Sequence, residues 1–241
     1  MRSLFPKISP YDHFMFDVGN GHQLYVEQCG NPNGIPLLFL HGGPGTGCNT
    51  EQRRYCDPEL YRIILVDQRG TGRSQPAGCT DHNNTDYLVT DLELLRNHLL
   101  INQWVVLGGS WGATLALLYG IAYPAAISAM ILRGTFLATA SEFDWLFSAN
   151  GAAKFYPEYF DDFVELLDQS EIDIPKAYSK LINSRNEIVQ TSALLNWSLW
   201  EQRIASFDSV NVDAKAHQVK HLSLVRSRIS NHFISQRCFV D

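Results

Sequence analysis

The chain opens with two stretches of alternating apolar and polar residues, 13–18 (HFMFDV) and 23–28 (QLYVEQ), on either side of Gly19-Asn20-Gly21. Alternation with period two describes a strand with one face turned inward, and the glycine-rich turn predicts an antiparallel hairpin. Four later runs do not alternate: 35–40 (IPLLFL), 62–66 (RIILV), 104–107 (WVVL) and 129–132 (AMIL) are nearly all apolar. A strand reads this way when both faces are covered, as in a parallel sheet between layers of helices. Residues 86–100 (DYLVTDLELLRNHLL) place leucines at helical spacing among charges, with Thr85 or Asp86 available as a cap. Strand and helix take turns through the first half. That order predicts a doubly wound α/β sheet with right-handed crossovers.

Beyond Gly134 the pattern changes. Residues 141–232 hold helical stretches such as 159–167 and 193–204 and no continuous apolar run of strand length. This predicts a core over 1–137, a helical cap over 138–235 inserted above the sheet, and a tail over 236–241. A length of 241 residues, with 45% hydrophobic and 18% charged residues, suits one globular core with a large insertion. The 25 acidic and 19 basic residues leave a net charge of −6 without any basic block, which speaks against nucleic-acid binding. No run approaches the ~20 apolar residues of a membrane span, and MRSLFP lacks the apolar core of a signal peptide. The five cysteines are scattered and none has CxxC spacing, so neither a zinc knuckle nor a disulfide framework is expected. Reduced thiols and a cytoplasmic location follow as expectations.

Three motifs carry chemistry. Gly108-Gly109-Ser110-Trp111-Gly112 is a G-x-S-x-G sequence between a strand and a helix. The turn is sharp enough that flanking side chains would collide with neighbouring elements. Glycines relieve that crowding and leave a serine hydroxyl at a helix N-terminus, where the helix dipole favours developing negative charge. Ser110 is therefore the candidate nucleophile. His41-Gly42-Gly43-Pro44-Gly45 follows the third strand, where a serine hydrolase supplies one oxyanion donor; the other is the N–H of the residue after the nucleophile. Those donors are assigned to Gly43 and Trp111. His41 precedes the oxyanion loop, and a bracing role is expected of it. Asp67-Gln68-Arg69-Gly70-Thr71-Gly72-Arg73-Ser74 lacks the spacing of a phosphate loop, and Asp67 and Arg69 are expected to form ion pairs that stiffen it.

HGGPG, DQRGTGRS and GGSWGATLALLYGIAYP, in this order and at these separations, resemble the proline iminopeptidases of the α/β-hydrolase superfamily. The resemblance implies an α/β-hydrolase fold, a mostly parallel sheet flanked by helices, with a helical cap. It also implies a cytoplasmic serine exopeptidase that removes N-terminal proline from peptides without metal or organic cofactor. The segment Trp197-Ser198-Leu199-Trp200-Glu201 is similar to the family's cap helix, and Glu201 matches its amine-binding glutamate. A carboxylate there pairs with the charged amine of a peptide N-terminus.

Two departures stand out. Ser230 occupies the position of the family's second amine-binding glutamate. The family also places the triad's acid and histidine beyond the cap, after two further strand–helix units. His217, His221 and His232 fall in the cap region instead, and His82 and His98 precede the nucleophile. Relative to the family, the sequence up to Asp241 is expected to lack the final strands of the sheet and the base for Ser110. Without a base, the oxyanion hole and binding alone give only ~10³–10⁴-fold acceleration over water. Two alternatives stand beside the exopeptidase: a non-catalytic hydrolase remnant that binds peptide N-termini, and an esterase or amidase with another substrate.

Overall fold

The computed structural model describes residues 4–168, 173–205 and 221–240. The stretches 169–172 and 206–220 of the predicted cap, with His217, lie outside the described residues. Contacts divide the chain into two compact units, Met1–Leu137 and Ala138–Asp241.

The first unit is built on a six-stranded sheet. β1 (Asp12–Asp17) and β2 (Gln23–Gly30) form the hairpin; β3 (Ile35–Leu40), β4 (Tyr61–Val66), β5 (Trp104–Gly109) and β6 (Ile127–Arg133) follow. In space the order is β1-β2-β4-β3-β5-β6, antiparallel at β1/β2 and β2/β4 and parallel elsewhere. The all-apolar runs bury both faces. Cys29, Leu37, Phe39, Ile63, Leu65, Val105 and Leu107 form one cluster, while the alternate residues Leu38, Leu40, Ile64, Val66 and Val106 are fully buried on the other side. α1 (Thr85–His98) and α2 (Trp111–Ala122) follow β4 and β5, and α2 packs on β3, β5, β6 and α1. α1 turns Leu88, Leu92 and Leu95 inward, each worth about 1.5–3 kcal/mol of burial.

Two local expectations are corrected. The N-cap of α1 is Asn84, whose Oδ1 accepts from the Tyr87 N–H at 3.0 Å, rather than Thr85 or Asp86. β6 is not covered on both faces. It is the outer strand of the described sheet, and Ile131 is 46% exposed. An apolar run marks a strand, but burial also needs neighbours on both sides.

The second unit contains α3 (Ala140–Phe147), α4 (Pro157–Val164), α5 (Ile174–Ile182), α6 (Glu187–Ala205) and α7 (His221–Ser235), with no strand among the described residues. Its core is aromatic. Phe163 stacks on Tyr178 at 4.6 Å and on Trp200 at 5.2 Å, and Phe147 stacks on Trp197 at 5.2 Å. Such pairs add about 0.5–1.5 kcal/mol each beyond their burial. Among the described residues, no helix is long and apolar enough to cross a membrane.

Candidate active site

The parallel register aligns Leu40 with both Val66 and Gly108. The carboxyl ends of β4, β3 and β5 therefore lie side by side, and the three motifs leave the sheet at one edge. Crevices at this edge are where open α/β sheets bind ligands.

Ser110 sits at φ 55°, ψ −125°, a conformation that L residues rarely adopt. Its N–H donates to the Arg133 carbonyl at 3.1 Å, and its carbonyl accepts from the Ala113 N–H at 2.8 Å. Strand β6 and the first turn of α2 thus hold the strained residue from both sides. A Cβ at Gly108 would fall on the Gly112 carbonyl, and one at Gly112 on the Leu40 carbonyl of β3. This is the crowding that the motif's glycines relieve. The Ser110 side chain is exposed, and among the described residues nothing is hydrogen-bonded to its Oγ.

The glycine loop lies against this turn. A Cβ on Gly42 would stand 3.0 Å from the Gly109 carbonyl and 3.4 Å from Ser110 Cβ. The Gly42 carbonyl accepts from Thr46 Oγ1 at 2.7 Å and His41 Nδ1 at 2.9 Å. In a trans peptide the N–H points opposite to the carbonyl, so pinning Gly42 O also aims the Gly43 N–H. His41 is fully buried, and its Nε2 accepts the Gln68 N–H at 3.1 Å. The proton therefore resides on Nδ1, and the ring is committed to the loop rather than to Ser110. His82 hydrogen-bonds Tyr87, and His98 packs on Phe14 and Phe16, so neither meets the serine.

Gln68 ties the motifs together. Its side chain donates to the His41 carbonyl at 3.1 Å and accepts the Trp111 indole N–H at 2.9 Å. Buried Asp67 receives the Cys48 N–H at 2.6 Å and Arg73 Nε at 2.9 Å. Arg69 makes a bidentate pair with Asp91 at 2.6 and 2.7 Å, deep in the unit. Both expected ion pairs form, each with a partner that sequence did not name. Glu27 joins the array by pairing with Arg53 and Arg73. Burial acts to raise the Glu27 carboxyl, but the two guanidinium groups outweigh it and hold the group below its usual range.

In the second unit, Glu201 on α6 faces α7. Ser230 Oγ donates to Glu201 Oε1, and Trp197 Nε1 donates to Ser230 Oγ at 3.3 Å. Arg226 Nη2 stands 4.0 Å from Oε2. Burial pushes the Glu201 carboxyl upward, partly offset by Arg226, Ser230 and Trp197. Arg203, two residues along α6, pairs with Asp162 at 3.0 Å. The serine at the position of a second acid is thus bonded to the first. Among the described residues, no group of three or more potential metal ligands comes together.

Thr46, Gln68 and Arg226 went unnoticed in the sequence. Gln68 stood inside a motif, yet an uncharged amide in a charged loop gave no signal. Thr46 and Arg226 act through positions that only the folded chain creates.

A mostly parallel sheet, a strained serine between β5 and α2, and a glycine loop at the neighbouring strand end together define an α/β hydrolase. The family model described as alpha/beta hydrolase fold matches residues 35–220. A proline iminopeptidase of Xylella fastidiosa strain Temecula1 is 41% identical over 242 residues, covering 100% of this chain and 77% of the relative. One of Xanthomonas citri is 42% identical over 243 residues, with the same two coverages. Among solved structures, a proline iminopeptidase-related protein of Thermus thermophilus is 25% identical, with a TM-score of 0.51, and the match covers 78% of this chain and 72% of that one. The chain belongs to the α/β-hydrolase family and, within it, to the proline iminopeptidases.

Proposed function

We propose that the protein is a serine exopeptidase that releases N-terminal proline from peptides in the cytoplasm. The observation that carries this reading is the contact between the glycine loop and the serine turn, with the Gly42 Cβ position 3.4 Å from Ser110 Cβ. It supports a presented hydroxyl working beside a backbone donor of the glycine loop. Ser110 Oγ attacks the carbonyl of the N-terminal proline, and the tetrahedral oxyanion is held by the N–H groups of Gly43 and Trp111. Donors held in place before the charge develops are worth about 2.7–4 kcal/mol each. Collapse of the intermediate expels the shortened peptide's amine, which takes up the proton from the serine hydroxyl. Water then hydrolyses the acyl-enzyme and frees proline. Glu201 anchors the substrate's ammonium. His41 is committed elsewhere, so the base comes from outside the groups described around Ser110.

A second reading, binding of peptide N-termini without turnover, is favoured by one observation: among the described residues nothing is bonded to Ser110 Oγ. Hydrolysis of a proline arylamide decides between them. The first reading expects turnover, fluorophosphonate labelling of Ser110, and loss of both in Ser110→Ala by at least ~10⁴-fold. Calorimetric binding of a proline-led peptide, with neither turnover nor labelling, establishes the second. Turnover of p-nitrophenyl acetate but not of the arylamide points to an esterase.

A further inference from the structure

The two oxygens of Glu201 are unequally partnered: the one bonded to Ser230 is held closely, and the one toward Arg226 is held at 4.0 Å. Oε1 takes the Ser230 hydroxyl, the Trp197 indole N–H, which donates to Ser230 Oγ, also acts on the carboxylate, and Oε2 has the Arg226 guanidinium at 4.0 Å. That separation is too long for a hydrogen bond yet short enough for strong attraction. Among the described residues, the buried Nε of Arg226 has no hydrogen-bond partner. The Glu201 side chain is 15% exposed and that of Arg226 36%, so neither is sealed from solvent. Arg203 is engaged elsewhere, holding Asp162 and lying over the Tyr159 ring.

On the reading that Glu201 anchors the substrate's amine, we propose that Arg226 is a specificity-determining counter-ion that the incoming ammonium has to displace. Glu201 and Arg226 together carry no net charge, and Ser230 adds none. An ammonium at hydrogen-bond distance from Oε2 is drawn by one carboxylate and repelled by a guanidinium about 6 Å away. At an effective dielectric between that of a protein surface and water, the repulsion weakens binding about tenfold. Arg226 therefore sets how weakly a charged N-terminus is held. It also keeps the carboxylate paired when no substrate is present, which limits the cost of its burial.

Calorimetric titration of the full chain with L-prolinamide tests this. Arg226→Gln is expected to tighten Kd about tenfold, while Arg226→Lys, which keeps the charge, stays within about threefold of the parent. N-acetyl-L-prolinamide, which has no ammonium, should bind the parent and Arg226→Gln alike. Thermal melts confirm that these half-exposed replacements fold. An unchanged or weaker Kd in Arg226→Gln overturns the proposal, as does equal tightening for the acetylated probe, or no binding of prolinamide by either protein. Glu201→Gln separates the two layers. If it binds prolinamide like the parent, the anchor reading itself fails; if it abolishes binding while Arg226→Gln changes nothing, only the role of Arg226 is lost.

Discussion

The serine turn and the Glu201 slot are built on opposite plans. Around Ser110, the Gly42 carbonyl has two side-chain donors, His41 uses both ring nitrogens, and Gln68 bonds through backbone and side chain alike. Around Glu201, one oxygen is bonded to Ser230, the other stands 4.0 Å from a cation, and that cation has a donor unused among the described residues. The first arrangement is over-determined, as suits groups that must be in place before charge develops. The second leaves positions for a ligand to fill. A carboxylate satisfied as completely as Asp67 would have nothing left with which to hold an amine.

The most damaging way to break the contrast is at Gly112. Its replacement by alanine drives a methyl into the Leu40 carbonyl of β3, a backbone atom that has no room to yield. Gly112→Ala should cost about 3 kcal/mol, which for a chain of this size lowers Tm by about 6–12 °C in differential scanning calorimetry. A melt within about 2 °C of the parent would mean that the turn tolerates the crowding. Thr46→Val probes the next level down. Removing one donor to the Gly42 carbonyl loosens the peptide that aims the Gly43 N–H, so kcat on a proline arylamide should fall about tenfold at unchanged KM, with rescue in Thr46→Ser. A rise in KM with constant kcat would place Thr46 in binding instead.

The smallest effect concerns an exception inside the well-satisfied unit. His22 is 1% exposed and donates through Nε2 to the Asp81 carbonyl, but its buried Nδ1 has no partner among the described residues. Burial lowers its pKa, so the folded state binds its proton less readily than the unfolded chain. Stability should then fall as pH drops below the unfolded value of about 6.5, and level off once the folded group also protonates. Urea unfolding at about pH 7.5 and about pH 5.5, on either side of that value, should show this loss in the parent and a smaller one in His22→Gln. Equal losses would assign the pH dependence to other groups.

Much of the first unit was legible because its signals are local. Apolar runs marked β3, β4 and β5, and the glycines of the serine turn report a steric need that the Leu40 and Gly112 carbonyls make concrete. Local signals failed where the cause lies at a distance. The run at 129–132 reads like a covered strand, yet whether β6 is covered depends on neighbours that the run does not encode. Asp67 and Arg69 announced ion pairs but not their partners, since Arg73 and Asp91 are brought in by the path of the chain. Glu201 could be named through its helix, whereas the cation opposite it comes from α7, 25 residues further on. Pairings across elements belong to topology, and one helix's pattern does not specify what the next will set against it.

The conformation of Ser110 has one more consequence. A non-glycine residue held at φ 55° costs about 1–3 kcal/mol that the surrounding hydrogen bonds must offset. Selection for thermal robustness and selection for turnover therefore pull in opposite directions at this position. A glycine there would relax the backbone and favour the folded state while removing the proposed nucleophile, so a search for stabilised variants that ignored activity would tend to erase the candidate site first.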